Sequence, residues 1–404
     1  MYNFLNKIEL EKNTIRKSLL ILFFATLPNS VAINNIIFFL IIFYWIFFED
    51  KKAIIKSIKT NPFVFFIYLF VGILFISLLW TSNIKWGIHI LNKELMLLSI
   101  PIFMNLIRKK DENILIKTYI IAMSISEIIS YSVKLQIIQP IFHATVYDPT
   151  PFMSHISYTP FLAFTIYLLI YFLFTSKETF LIKTLSIFFI ITMSINLFIT
   201  GGRAGQVAFF ILLILAVFQF LKFNLKSLSI VFFVIPAIFI TAYTTSKIFH
   251  NRVNLAIHNI THFQKNKNTS VGLRIQFAKN TLEMIKENPI LGVGIGDFPK
   301  EYKKINKEYS PSSRVTVQPH DMYIFVWAQS GIFAFLSFIM IFIVQLIAAL
   351  KIKDKYKPIK MAFPLFFLII MFSDSYLLGH FTTHLFIAFS SILYKDITWK
   401  LIKS

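Results

Sequence analysis

The chain has 404 residues, of which 56% are hydrophobic, 17% aromatic and only 15% charged, and it carries 48 Phe. A soluble domain has about a quarter charged residues, so soluble enzymes, fibrous proteins and disordered segments are excluded and a bilayer is the expected solvent. The net charge of +21 is read as membrane topology and phosphate binding, with no nucleic acid among the expected partners. There is no Cys, so segments outside the bilayer must hold together by packing alone.

A spanning helix needs about 20 mostly apolar residues. On that length the sequence predicts twelve, at 15–30, 31–48, 62–80, 91–108, 114–138, 156–175, 184–200, 207–222, 228–246, 322–350, 358–374 and 381–395. The first is followed at once by the second and lacks a small-residue cleavage site, so no cleavable leader is expected. Alternate connections divide sharply in charge. One set holds residues such as Lys51, Lys52, Arg108, Lys109, Lys110, Lys353 and Lys355, whereas the short loops of the other hold only Lys85, Lys93 and Arg203. Basic short loops favour the cytoplasm, so both termini are expected there, with 1–246 and 322–404 as membrane units. The segment 247–321 then falls outside, where its own basic residues do not oppose translocation, because long loops cross largely regardless of charge. At about 75 residues it is the segment in which function is expected. Within it, Leu273–Glu287 reads as an amphipathic helix with Ile275, Ala278, Leu282 and Ile285 on its apolar face, Ser270 as N-cap and Asn288-Pro289 as the stop.

Four groups of residues carry possible chemistry. Arg203, in Gly201-Gly-Arg-Ala-Gly205, is one of few short-loop cations on the outer side. It could grip a phosphate bidentately beside a helix amino terminus, or snorkel to lipid head groups. Arg274, early in the amphipathic helix, could close on a diphosphate from the opposite wall or be a solvated charge. The run Gly292-Val-Gly-Ile-Gly296 has the wrong spacing and context for a nucleotide loop and is expected to be a turn that brings backbone close to another segment. His320, in Pro319-His-Asp321 at the entry to a span, has the chemistry of a general base, with Asp321 as orienter or alternative base. Other polar outliers are Lys93-Glu94, Glu127, Lys134, His143, Asp148, His155, Asp374, His380 and His384. His380 and His384 share a helix face but lack a third ligand, so no metal is assigned.

These motifs resemble the O-antigen ligase family and its relatives, the O-antigen polymerases and bacterial protein O-oligosaccharyltransferases. Thr200-Gly-Gly-Arg203-Ala-Gly-Gln-Val207 is similar to the family's Arg-containing turn. Ser270-Val-Gly-Leu-Arg274 through Asn288-Pro-Ile-Leu-Gly-Val-Gly-Ile-Gly-Asp-Phe298 is similar to its Arg helix and Pro/Gly-rich stretch. Pro319-His320-Asp321, nine residues and Gly331-Ile-Phe-Ala334 resemble its His-Asn-x9-Gly signature, with Asp321 in place of the amide. Phe152-Met-Ser-His155-Ile-Ser-Tyr158 is similar to an earlier part of the family.

The resemblance implies an all-α, polytopic C-type glycosyltransferase-like fold with one large periplasmic loop, in the bacterial inner membrane. It implies an inverting enzyme without metal or cofactor that takes a glycan from undecaprenyl diphosphate. Arg203 and Arg274, with Lys93 as a further member, would bind the diphosphate. His320 would be catalytic, and Asp321 and His155 would support it. A ligase would use lipid A–core as acceptor, a polymerase a second lipid-linked glycan, and an oligosaccharyltransferase a protein. A lipid-linked glycan transporter is the non-enzymatic alternative, and its internally repeated halves are not visible in the sequence.

Overall fold

The computed structural model describes residues 2–263 and 267–403, and among these there are helices and connections but no strand. In chain order the helices are α1 (Tyr2–Thr26), α2 (Val31–Phe48), α3 (Lys52–Thr60), α4 (Pro62–Ile76), α5 (Ile84–Glu94), α6 (Ile100–Leu106) and α7 (Glu112–Lys134). There follow α8 (His155–Thr175), α9 (Phe180–Ile199), α10 (Arg203–Leu221), α11 (Leu225–Ser229), α12 (Ile235–Thr245), α13 (Lys247–Thr261), α14 (Ser270–Glu287) and α15 (Phe298–Tyr309). The last four are α16 (Met322–Lys351), α17 (Lys357–Ile370), α18 (His380–Leu393) and α19 (Trp399–Lys403).

Nine helical stretches among the described residues are long and apolar enough to cross a membrane, which makes the chain a multi-pass membrane protein. The other three of the twelve expected spans are also helices. α1 has 25 residues but carries Lys12, Arg16 and Lys17, whereas α17 and α18 have 14 residues each. Part of the charge inside this bundle is paired, whereas buried Glu94 and Glu127 keep carboxylate oxygens without a hydrogen-bond partner. Buried Arg16 meets Asp111 at 2.7 Å, and Lys395 meets Glu112 at 2.5 Å, fastening α1 and the end of α18 to the start of α7. Lys134 does not pair with Glu127; its ammonium donates to the carbonyl of Val146 at 3.0 Å.

Small residues set the closest helix approach. A Cβ at Gly202 would strike the Thr159 side chain and the His155 carbonyl, and one at Gly205 would fall on the Thr159–Pro160 backbone. Thr159 Oγ1 donates to the Gly202 carbonyl at 2.9 Å, so α10 starts directly against α8. Backbone contact of this kind is how small residues hold membrane helices together where lipid is as apolar as any side chain.

The described residues of 247–321 fold around α13, α14 and α15. The amphipathic helix forms and ends at Asn288, but its N-cap is Thr269, whose hydroxyl accepts from Gly272 N at 3.1 Å. Its inward face also differs from expectation. Gln276, Phe277, Asn280, Thr281, Met284 and Ile285 are buried, whereas Leu282 is 44% exposed. The reason is a polar network that outranks a fully apolar stripe. Gln276 donates to Asn280, whose amide reaches Tyr302, Asn306 and Ser310 at 3.0, 3.2 and 2.7 Å, joining α14 to α15. Each buried amide is thereby satisfied, which its burial requires.

The glycine run is a close-packed turn. Gly292 and Gly294 have φ of +70° and +103°, and Gly331, with φ +77°, breaks α16 beside them. Across the break Val293 N donates to Ala328 O at 2.9 Å, Gly294 N to Gln329 O at 2.9 Å and Ile332 N to Pro289 O at 3.1 Å. Asp297 then accepts from Ser82 N and Asn83 N at 2.6 and 2.9 Å, tying the same loop to the start of α5. Gly331→Ala places its Cβ on the Ile290 carbonyl and adds a left-handed backbone penalty of about 1–2 kcal/mol. It is expected to lower the thermal unfolding midpoint of the detergent-solubilised protein, whereas Gly72→Ala, inside α4 with open space around it, does not lower it, because Ala is the better helix former.

Candidate functional site

α9 ends at Ile199, and the hydroxyl of its C-cap Thr200 turns back to Asn196 O at 3.0 Å, while Gln206 donates to Leu197 O and Thr200 O, both at 3.2 Å. This pinned turn presents Gly201, Gly202 and Arg203 to a cavity of about 210 Å³ lined also by His155, Arg252, Ser270, Arg274, Ser373 and Tyr376. The two arginines read from the sequence are therefore brought together, and Arg252 of α13 joins them. Arg252 lies across Gly201, where a Cβ would stand 2.8 Å from its Nη2. No Asp or Glu lines this cavity, and none of the three arginines makes an ion pair among the described residues. Nε and Nη2 of Arg203 are buried without a hydrogen-bond partner.

Such an arrangement is costly when empty. Like charges a few ångströms apart repel by about 1–4 kcal/mol, depending on local screening. The amino termini of α10 and α14 point positive dipole ends to the same place. Unpaired guanidinium donors, two helix amino termini and no competing carboxylate make a site for a multivalent anion of phosphate type.

His155, also on the wall, is fixed by Asp148, its Nδ1 lying 2.7 Å from Oδ2. Burial would raise the Asp148 carboxyl, but the hydrogen bond and charge of His155, with Thr150 and Arg252, outweigh it and hold the group below the usual aspartate range. A depressed folded-state value means that this contact stabilises above the unfolded pKa and is lost as pH falls through the folded one.

His320 has φ +57°, a left-handed conformation, and is held by two contacts. Its Nδ1 lies 3.1 Å from Asp374 Oδ1, and its ring stacks on Phe277 with centroids 6.1 Å apart. With Nδ1 engaged by a carboxylate, Nε2 is the atom left to accept a proton. Asp321 does not play this part. Its Oδ1 accepts from Tyr323 N at 2.9 Å and Ile324 N at 3.2 Å, capping α16. Burial pushes the Asp321 carboxyl upward, and those two backbone donors pull it down.

Asp374 lines a second compartment of about 230 Å³ with Trp86, Lys93, Gln318 and Thr382, and this compartment shares Ile156 and Tyr376 with the arginine cavity. Lys93 therefore stands on the His320–Asp374 side rather than among the arginines. His320 lines neither cavity directly and reaches the compartment through Asp374. His384 lies elsewhere, buried with Nδ1 2.6 Å from Asn34 Oδ1 and stacked on Phe38.

Residues 188–339 match the family model described as O-antigen ligase. In this segment the chain is similar to the O-antigen ligase family. The matched segment contains Arg203, Arg252, Arg274 and His320, while Lys93, His155 and Asp374 are supplied from outside it. A curated protein of Haemophilus influenzae, described as uncharacterized, is 28% identical over 159 residues, which is 38% of this chain. The chain spans about 40% of the length of that relative.

Sequence reasoning missed Arg252 because nothing periodic distinguishes it from the other cations of residues 247–321. Asp374 was visible as a polar residue at the end of a span, but not as the partner of a residue 54 positions away. Binding of inorganic pyrophosphate, followed by calorimetry, is expected to weaken about 10–100-fold in Arg203→Gln or Arg252→Gln, since a hydrogen bond to a charged group contributes about 1.5–3 kcal/mol. Lys304→Gln, which only loses an exposed pair with Glu301, leaves binding unchanged. In unfolding measured against pH, Asp148→Asn is expected to remove the acid-side loss of stability that the Asp148–His155 contact gives the wild type.

Proposed function

We propose that the protein is an O-antigen ligase, an inverting glycosyltransferase that moves a glycan from undecaprenyl diphosphate to lipid A–core. The observation that carries this reading is the cavity of three arginines, in which Arg203 keeps two buried donors without a partner, adjoining a compartment walled by the carboxylate that holds His320. The family match supports it.

The diphosphate of the donor occupies the arginine cavity, with its lipid in the bilayer and its sugar directed to the second compartment. His320 Nε2 takes the proton from the acceptor hydroxyl as that oxygen attacks the anomeric carbon from the face opposite the diphosphate. The bond between the anomeric carbon and the phosphate oxygen breaks. The electron pair leaves with the diphosphate, whose growing charge Arg203, Arg252 and Arg274 neutralise. Asp374 keeps the imidazole in the accepting tautomer and balances the imidazolium. Guanidinium groups supply the charge stabilisation a divalent metal could otherwise give, so the reaction is proposed to be metal-independent. Lys93 lies where the transferred or accepting sugar would sit. In this reading the site faces the periplasm from the inner membrane, 247–321 is the periplasmic loop and both termini are cytoplasmic, in keeping with the loop charges.

A polymerase that extends a glycan on its own carrier uses the same residues and differs in acceptor. A deletion strain separates the two. Loss of a ligase leaves long glycan on undecaprenyl diphosphate, and loss of a polymerase leaves single repeats on lipid A–core. With purified protein, lipid-linked donor and acceptor, His320→Ala is expected to lower kcat by roughly 10²–10⁴-fold, the usual contribution of a positioned base. Asp374→Asn should fall in the same direction with KM little changed. Full transfer by both variants would remove the catalytic role of the pair.

A further inference from the structure

The connection into α8 contains Asp148-Pro-Thr-Pro151, and two prolines so close together cannot continue a helix and hold the chain extended. Asp148 is fixed in that bend from several sides. Its backbone N donates to Thr145 Oγ1 at 2.9 Å, and its carbonyl accepts from Thr145 N and Thr150 N, both at 2.9 Å. Oδ1 accepts from Thr150 Oγ1 at 3.2 Å, which leaves Oδ2 for His155 Nδ1, 2.7 Å away.

His155 is the first residue of α8, which Gly202 and Gly205 lock against α10. Its carbonyl accepts from Thr159 Oγ1 at 3.0 Å, and that of Ile156 from the Tyr376 hydroxyl at 2.9 Å. Ser154, the N-cap, makes no side-chain cap bond, so α8 is a third helix whose amino terminus starts on the wall of the arginine cavity.

Among the described residues there are two carboxylate–imidazole pairs, Asp374–His320 and Asp148–His155, each with Nδ1 engaged and Nε2 left over. They differ in what surrounds that second nitrogen. His320 reaches the second compartment through Asp374, whereas His155 lines the arginine cavity itself. The charged and titratable groups around His155 are Asp148 on the connection, Arg203 on α10, Arg252 on α13 and Arg274 on α14, with the phenols of Tyr147 and Tyr376. Three guanidinium groups oppose a charge on the ring, and one carboxylate favours it. A diphosphate in the cavity reverses that balance, because it brings more than one negative charge to the ring. The ring also borders a hollow of about 320 Å³ where Tyr147 is 84% exposed, and its own side chain is 30% exposed, so water reaches it.

We propose that His155 takes up a proton when the diphosphate binds and is the acid of the transfer step, handing that proton to the departing diphosphate. The inference rests on the donor class proposed above. As the bond between the anomeric carbon and the phosphate oxygen breaks, its electron pair passes to the diphosphate. The proton on His155 Nε2 moves to an oxygen of the phosphate released from the sugar. Asp148, the positioning residue, keeps the Nδ1 proton in place, so the ring ends neutral and is recharged from water. His320 returns to water the proton it took from the acceptor hydroxyl. Over one turnover the enzyme thus loses a proton at one pair and gains one at the other. A phosphate freed of its ester titrates at about 6, near the ordinary imidazole value of about 6.5, so the exchange is close to level. The protonated product carries one charge fewer and leaves the three arginines more readily.

The first part of the test needs no sugar transfer. Inorganic pyrophosphate is titrated by calorimetry into the full-length protein in buffers of different ionisation enthalpy, above pH of about 6.5, where a free imidazole is mostly neutral. The wild type is expected to take up about one proton more per pyrophosphate than His155→Gln, one imidazole being charged. Asp148→Asn, a second variant that leaves the cavity wall intact, should also take up less than the wild type. Equal uptake by all three, with pyrophosphate bound by each, would overturn the proposal and leave the anion site standing. No binding by the wild type would overturn both. In the second part kcat/KM for a lipid-linked donor is followed against pH. The wild type should fall on both sides of its optimum, on the acid side through His320 and on the alkaline side through His155. His155→Gln is expected to lose the alkaline fall and to drop about 10²-fold at the optimum. An alkaline fall unchanged in His155→Gln would overturn the acid role.

Discussion

Like-charge repulsion among three guanidinium groups is the constraint that the site is built around. Arg203, Arg252 and Arg274 face one cavity with no carboxylate on its wall, and in a partly buried setting that arrangement is unfavourable unless the surroundings hold it open. The holding is done by backbone. Gly202 and Gly205 clamp the start of α10 on α8, Gln206 pins the preceding turn, and Gly201 leaves room for the Arg252 side chain. The backbone beneath the arginines is anchored this way, and a multivalent anion would relieve their repulsion. Under the proposed reading, binding energy is concentrated on the group whose charge increases in a diphosphate-releasing step.

The same principle explains why the second compartment is kept apart. Asp374 beside the arginines would pair with one of them and cancel the field that selects an anion. Instead it faces His320, while Ser373, its chain neighbour, lines the arginine cavity. Adjacent residues at that turn thus serve opposite electrostatic surroundings. The left-handed backbone at His320 has a similar origin. Asp321 must point back along α16 to cap Tyr323 and Ile324, so the residue before it takes the unusual φ that turns its ring toward Asp374 and Phe277.

How far the sequence revealed this depends on the range of the interaction. Spans, the glycine turn at Gly292–Gly296 and the extent of the amphipathic helix are local, and length, spacing and composition carry them. The pairing of Arg203 with Arg274 was legible only because each sits in a motif with its own shape requirement. What was not legible is pairing at a distance. The buried face of α14 was misread because Gln276 and Asn280 look solvent-facing by polarity, while their partners Tyr302, Asn306 and Ser310 lie one helix later. Asp321 is adjacent to His320 in sequence, but successive residues at a helix start point apart, and Asp321 caps α16 instead. Arg252 and Asp374 carry no local pattern, and only packing gives them roles.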